Sequence, residues 1–413
     1  MSSPDLAGSD RLGVGAALRQ AGLPEDDIQS VIHVLEGPNL SMGPQIAAFE
    51  KYFCDYTGAR HAIGVNSGTA GLHLCVRAAG IQAGDLVLTT PFSFISSTNV
   101  LLFENAIPVF VDAEARTGNL DLNQLAEAAH DLSAGGEKAR KWLPRTLPPI
   151  PSSSAPSRLK AILPVDVFGQ PPDMDAIRHI ADEYGLAVIE DSCEALGSEY
   201  KGRKAGRLGD YGVYAFYPNK QITTGEGGVI VTDDDQAAGF MRALRNQGRA
   251  PGDTWLQHTF LGYNYRLDEM SAALGVTQMQ RIEELLAKRE QVARWYGERL
   301  SETAGVEMYT VEPATTRMSW FVYVVKFARG IDRAAVAHSL EARGIPVRPY
   351  FAPIHLQPFM VERFGYRLGD FPVTEDLGQR GLAIPFSSVM TEGMVEQVCQ
   401  AIRAALVQAL PNS

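Results

Sequence analysis

Cysteine is scarce in this sequence. Cys54, Cys75, Cys193 and Cys399 are four thiols in 413 residues, scattered without CxxC pairs and without histidines at ligand spacing, so neither a disulfide framework nor a zinc site is indicated. Long apolar runs are missing too, and no stretch approaches the roughly eighteen uninterrupted apolar residues of a membrane span. Positive charge is in deficit, with 37 Lys and Arg against 48 Asp and Glu and a net charge of −11. A nucleic-acid surface needs a basic face to neutralise phosphates, and none is expected here. An anionic ligand would have to be held by local arginines. The opening stretch MSSPDLAGSDRLGVG has no secretory apolar core and carries acids that a transit peptide avoids, so the expectation is a cytoplasmic protein with reduced thiols.

What is present is the composition of an ordinary globular chain, 45% hydrophobic and 21% charged. Its length exceeds what one hydrophobic core usually serves, which predicts two domains. From about residue 60 to 235, short Val- and Ile-rich runs alternate with helical patterns, the signature of a mainly parallel sheet covered by helices. The strands are expected at His61 to Val65, Leu86 to Thr90, Pro108 to Val111, Ala161 to Val165, Ala187 to Glu190, Gly212 to Phe216 and Gly228 to Thr232. The division expected is an N-terminal arm and helix (1–35), a large domain (36–265), a linking helix (266–300) and a small C-terminal α+β domain (301–413). Residues 134–158, rich in Pro, Ser and basic side chains and without periodicity, read as a mobile surface loop inserted before a strand.

In open parallel sheets ligands sit outside the carboxyl ends of the strands, and the unusual residues fall there. GVNSGTAGLHL follows the first strand, and its backbone N–H groups and hydroxyl could cradle a phosphate at a helix start, although Ser-Gly-Thr is equally an ordinary N-cap. AVIEDSCEALG ends a buried strand in Glu190 and Asp191, which need a cationic partner such as a protonated cofactor ring nitrogen, or else serve as a cap or structural ion pair. Phe92 and Phe94 follow another strand, where an aromatic stacks on a flat ligand or joins the core. Lys220 follows a strand directly and has glycines beyond it; among apolar walls its amine becomes available as a nucleophile. Cradle, plate, carboxylate and lysine, in that order, are the parts of a pyridoxal phosphate site.

The segments NSGTAGLHL, PVDVFGQPPDMDAI, IEDSCEALGSEYKGRKAGRLGDYGVYAFYPNKQITTGEGG, GYNYRLDEMSAALG and PYFAPIHLQPF resemble the DegT/DnrJ/EryC1/StrS aminotransferases over nearly the whole chain. These are pyridoxal phosphate enzymes of fold type I that aminate keto-sugars. The resemblance implies an α/β fold with a mostly parallel seven-stranded sheet between helices and a smaller α+β domain. It implies that Lys220 bonds covalently to the cofactor, Asp191 pairs with the ring nitrogen, Phe94 stacks on the ring, and Gly68 and Thr69 hold the phosphate. Glu194, where many relatives carry glutamine or histidine, is similar to the variant of perosamine synthases and would lie near the ring. Asn264 matches an asparagine lent to the neighbouring subunit's phosphate, which implies a homodimer with shared sites. Arg245, Arg249 and Arg266 flank the region where relatives bind a nucleotide diphosphate.

One departure stands out: Ala215 replaces a serine that commonly binds the phosphate. The activity implied is amino transfer from an amino acid, glutamate, to a keto-sugar, expected to be nucleotide-linked. The competing readings are a dehydratase or lyase on the same site, amination of a cyclitol ketone with glutamine as donor, and a regulatory protein that kept the fold. Lys220 favours amino transfer, because hydroxyl-removing relatives carry histidine there.

Overall fold

The computed structural model describes residues 14–20, 22–147 and 158–409. In chain order the strands β1 (His61–Val65), β2 (Leu86–Thr89), β3 (Ile107–Phe110), β4 (Leu159–Leu163) and β5 (Ala187–Asp191) are followed by a short hairpin, β6 (Glu199–Tyr200) and β7 (Arg203–Lys204). Then come β8 (Tyr211–Ala215) and β9 (Gly228–Thr232). Seven of these form the large sheet in the order β1-β9-β8-β5-β4-β2-β3. Only β9 opposes the common direction, running antiparallel to β1 and β8 while the other pairs are parallel. Strands buried on both faces read as near-continuous apolar runs, and β2 and β9 are buried at every position.

The covering helices follow from local chemistry. In Met174–Tyr184 the Asp173 side chain caps the start by accepting from Ala176 N at 3.1 Å, and Gly185 ends it with φ 65°; an Asp cap contributes about 1 kcal/mol over Ala. Its Ile177, Ile180 and Ala181 fall on one buried face, and each isoleucine gains roughly 1.5–3 kcal/mol from leaving water.

The second core belongs to an antiparallel sheet of β10 (Val306–Met308), β12 (Tyr323–Phe327), β13 (Arg348–Pro349) and β14 (Gly381–Ile384), in the order β10-β12-β14-β13. Val325, Phe327, Leu382, Val398 and Ile402 are fully buried there, beneath helices that include Ile282–Leu300 and Glu392–Ala409. Strand β11 (Thr315–Arg317) pairs with β6 of the large-domain hairpin and ties the two parts together. The fold is therefore α/β of the fold-type I class, with a mostly parallel sheet in its large part.

Three sequence readings are refined. The helical pattern after Asp268 is two helices, Glu269–Gln280 and Ile282–Leu300, with a non-helical Arg281 (φ −112°, ψ 14°) between them. Arg281 reaches Asp27, fully buried in the helix Glu25–Glu36, at 2.6 Å. The helix Val14–Gln20 packs on the small-domain core through Val14, and residues 1–13 lie outside the described residues. The segment 134–158 is not a free loop over its described part. A short helix, Gly136–Arg140, buries Ala139; Leu143 joins the core, and Arg145 pairs with Asp370 at 2.5 Å. Residues 148–157 of that segment lie outside the described residues. Among the described residues no helix is long and apolar enough to cross a membrane.

Candidate active site

A cavity of about 530 Å³ opens at the carboxyl ends of β5 and β8, between the two domains. Its walls bring together Gly68, Thr69, Phe94, Asp191, Glu194 and Lys220 from the sequence reading, with Phe321, Tyr350 and Phe351 from the small-domain side.

Lys220 follows β8 after a tight turn closed by its N–H donating to Tyr217 O at 2.9 Å. Its Nζ lies 3.9 Å from the ring centroid of Phe321 and 3.8 Å from Glu194 Oε1, with the lysine side chain 13% exposed. The amine is thus enclosed by an aromatic face and one carboxyl. Glu194 is buried, and its Oε2 accepts from Phe168 N at 3.0 Å. Burial raises its carboxyl to about 7, against the opposing pull of the Lys220 charge and the Phe168 N–H.

Strand alternation separates the paired acids of β5, since successive side chains point to opposite faces. Glu190 turns away from the cavity and accepts from the backbone N–H groups of Gly206, Leu208 and Gly209, at 2.7, 2.8 and 3.1 Å. It is a structural acid. Asp191 faces the cavity, accepts from Cys193 N at 3.2 Å, and makes no ion pair among the described residues. Burial pushes its carboxyl up, and the Cys193 donors and the Lys220 charge oppose that. A buried acid without a cation is costly, and a protonated ring nitrogen is the kind of group that would complete it.

The helix Gly68–Ala78 starts at the cavity. Ser67 caps it by accepting from Ala70 N, which leaves the Gly68 and Thr69 N–H groups without intrahelical acceptors and ready for an anion. Gly68 cannot be larger: a Cβ there would stand 2.7 Å from Ala215 Cβ and 2.8 Å from Cys193 Sγ. Thr69 Oγ1 donates to Ser96 Oγ at 2.8 Å, so a second hydroxyl lines this end of the cavity beside Ala215. Phe92 is core, packed edge-on against Phe168 and Phe351, whereas Phe94 lines the cavity 63% exposed. An anion cradle, an open aromatic plate, an uncompensated buried acid and an enclosed amine fit pyridoxal phosphate.

The remaining residues of the sequence reading lie elsewhere. Arg245 is corrected: its guanidinium is buried, 2.5 Å from Glu50 and 2.6 Å from Gly64 O, so it braces β1 and has no path to a substrate. Arg249 stacks over Trp255 at 4.5 Å, and Arg266 donates to Asn246 Oδ1 at 3.0 Å. Asn264 is exposed and pairs through its backbone with Asn246. These three share one rim outside the cavity of the single chain.

Sequence reasoning missed several residues. Phe321 sits in WFVYVVKF, which reads as a strand, and Arg289 lies within the long helical pattern from about Asp268 to Leu300. Arg289 is 4% exposed and donates to Lys220 O at 2.7 Å. Burial alone draws its guanidinium down to about 10.

A family model described as the DegT/DnrJ/EryC1/StrS aminotransferase family matches residues 22–403. GDP-perosamine synthase of Caulobacter vibrioides is 37% identical over 369 residues, covering 89% of this chain and 91% of that protein. The spore coat polysaccharide biosynthesis protein SpsC of Bacillus subtilis is 33% identical, covering 92% of this chain and 94% of that protein. Among solved structures, DesV of S. venezuelae superposes with a TM-score of 0.82 at 29% identity, over 97% of this chain and 98% of that one. With a match of this extent laid over the cavity described above, the chain belongs to the DegT/DnrJ/EryC1/StrS aminotransferase family and is a pyridoxal phosphate-dependent enzyme.

Proposed function

We propose that the chain moves an amino group from an amino acid, glutamate first among them, to the ketone of a nucleotide-linked sugar, in a homodimer whose subunits share their sites. The observation that carries this reading is the Lys220 amine, walled in by Phe321 and Glu194 in the cavity that Asp191 also lines. Relatives named for perosamine and spore coat polysaccharide synthesis support a sugar as acceptor.

Pyridoxal phosphate, when bound, supplies a carbonyl that condenses with amines and a ring that draws electrons from the carbon beside the nitrogen. The side chains around it divide the remaining work. Lys220 Nζ would anchor the group covalently at rest and, once the donor's amine has displaced it, would as a free amine take a proton from the donor Cα and return one on the way to product. Glu194, whose carboxyl burial raises to about 7, faces that amine at 3.8 Å and offers it a neighbouring charge. Asp191 would accept from a protonated ring nitrogen and hold it in that state. The first-turn N–H groups of Gly68 and Thr69 meet the phosphate, and Ser96 supplies the hydroxyl that Ala215 lacks. Phe94 would stack against one face of the ring.

Arg249 and Arg266 stay as contacts for the diphosphate, and Asn264 as a residue lent across the dimer. The same rim exposes Trp255, Leu256 and Leu261 at 77%, 82% and 83%, an apolar tip that supports burial against a second chain. Purified protein, L-glutamate and GDP-, UDP- or dTDP-linked keto-hexoses test the reading together. Release of 2-oxoglutarate beyond one equivalent per site that needs one of these sugars is expected; sustained release that none of them stimulates would remove nucleotide-sugars as acceptors.

A further inference from the structure

We infer that Arg289 is a positioning residue for Lys220, acting across the joint between the two domains. A buried guanidinium is ordinarily matched by a carboxylate, yet Arg289 makes no ion pair among the described residues, and its Nε finds no acceptor there. Its terminal nitrogens donate to three backbone carbonyls instead: Lys220 O at 2.7 Å, and Trp320 O and Phe321 O at 3.2 Å each. The first belongs to the loop after β8, and the other two to the loop that enters β12.

That second loop is bent to meet the guanidinium. Trp320 has φ 53°, in the left-handed region that a bulky side chain rarely occupies, and its carbonyl and the next both converge on one nitrogen. Phe321, the residue so held, is the ring beneath Lys220 Nζ. One fork therefore fixes both the backbone from which the amine hangs and the backbone that carries its aromatic floor. Gln221 adds a second stitch, its Nε2 donating to Glu194 O at 2.6 Å and Ser319 Oγ at 2.8 Å. Neither Arg289 nor Gln221 lines the cavity, so both act through Lys220, Phe321 and Glu194.

This inference rests on Lys220 bearing the cofactor, and the experiment keeps the two failures apart. Arg289→Lys retains a buried cation but exchanges a planar fork for a point charge; Arg289→Met removes the charge. Wild type and variants are stripped of cofactor, mixed with pyridoxal phosphate, and scored for the rate at which a borohydride-reducible adduct forms on Lys220 and for thermal midpoint. Non-covalent affinity for pyridoxal phosphate is read in a Lys220→Ala background.

Adduct formation slowed about tenfold in Arg289→Lys is expected, because a small misplacement of a reacting group is costly, and more slowing is expected in Arg289→Met. The non-covalent affinity should move by less than about twofold, since the phosphate cradle is untouched. Wild-type rates in Arg289→Lys, with only the thermal midpoint lowered, would overturn the inference, and that variant decides if Arg289→Met fails to fold. Absence of any Lys220 adduct in the wild type would overturn the underlying reading instead.

Discussion

The floor of the cavity and the flank of β1 each hold buried charge, and they treat it oppositely. On the flank, Arg245 meets Glu50 at 2.5 Å and Gly64 O at 2.6 Å, so the charge is consumed within the fold. On the floor, among the described residues, Asp191 is buried with no cationic partner in hydrogen-bond range, and Lys220 stands 3.8 Å from the Glu194 carboxyl, beyond a hydrogen bond. Buried polar groups are normally satisfied. Where a group left incomplete also faces the cavity, as Asp191 and Lys220 do, it is open to a ligand, whereas Arg245 lies away from it. Both regions looked alike as residue types; partners made the difference.

Four substitutions sharpen that contrast, from the largest expected effect down. Lys220→Ala should cut amino transfer by at least the roughly 10²–10⁴-fold of a lost general acid–base group, with little change in thermal stability; turnover above that range would deny the lysine its role. Arg245→Ala should do the reverse, costing about 3 kcal/mol by stranding Glu50 while each folded molecule keeps its affinity for pyridoxal phosphate. Denaturant titration and cofactor titration on the same samples separate the two, and a lost affinity at full stability would return Arg245 to the site.

Glu194→Gln probes pH. The carboxyl is raised by burial from 4.5 to about 7, so between those values the folded protein binds more protons than the unfolded chain. Cofactor-free protein should therefore lose stability as pH rises through that window, and the glutamine variant should show a shallower dependence there, keeping the part that the buried Asp166, Glu190 and Asp191 contribute; urea titrations at several pH values read it, and parallel curves for both proteins would contradict the assignment. The smallest change is Ser96→Ala, expected to weaken cofactor binding by the 0.5–1.5 kcal/mol or so of one hydrogen bond. An unchanged dissociation constant would mean that Ser96 does not stand in for the hydroxyl missing at Ala215.

Much of the fold was legible because it is written locally. β1 and β9 fall at the expected residues, since β-branched runs bounded by turn residues leave little choice. The positions of Asp191 and Lys220 at the cavity were legible, one as the polar end of β5 and the other from the turn after β8. The role of Arg289 was not, because the carbonyls it binds lie 31, 32 and 69 residues away and a charged helix position says nothing about what folds over it. Arg245 misled for the same reason: Glu50, its partner, is 195 residues distant. The segment 134–158 looked aperiodic because its anchors, Ala139, Leu143 and Arg145, are single residues held by distant partners rather than a repeating face.

The most direct measurement is to reduce the cofactor-loaded protein with borohydride, digest it, and find the modified peptide by mass spectrometry. The pyridoxyl group is expected on the peptide containing Lys220 and on no other. A tag at another lysine, or none in protein that binds pyridoxal phosphate, would contradict the assignment of this cavity as the seat of amino transfer.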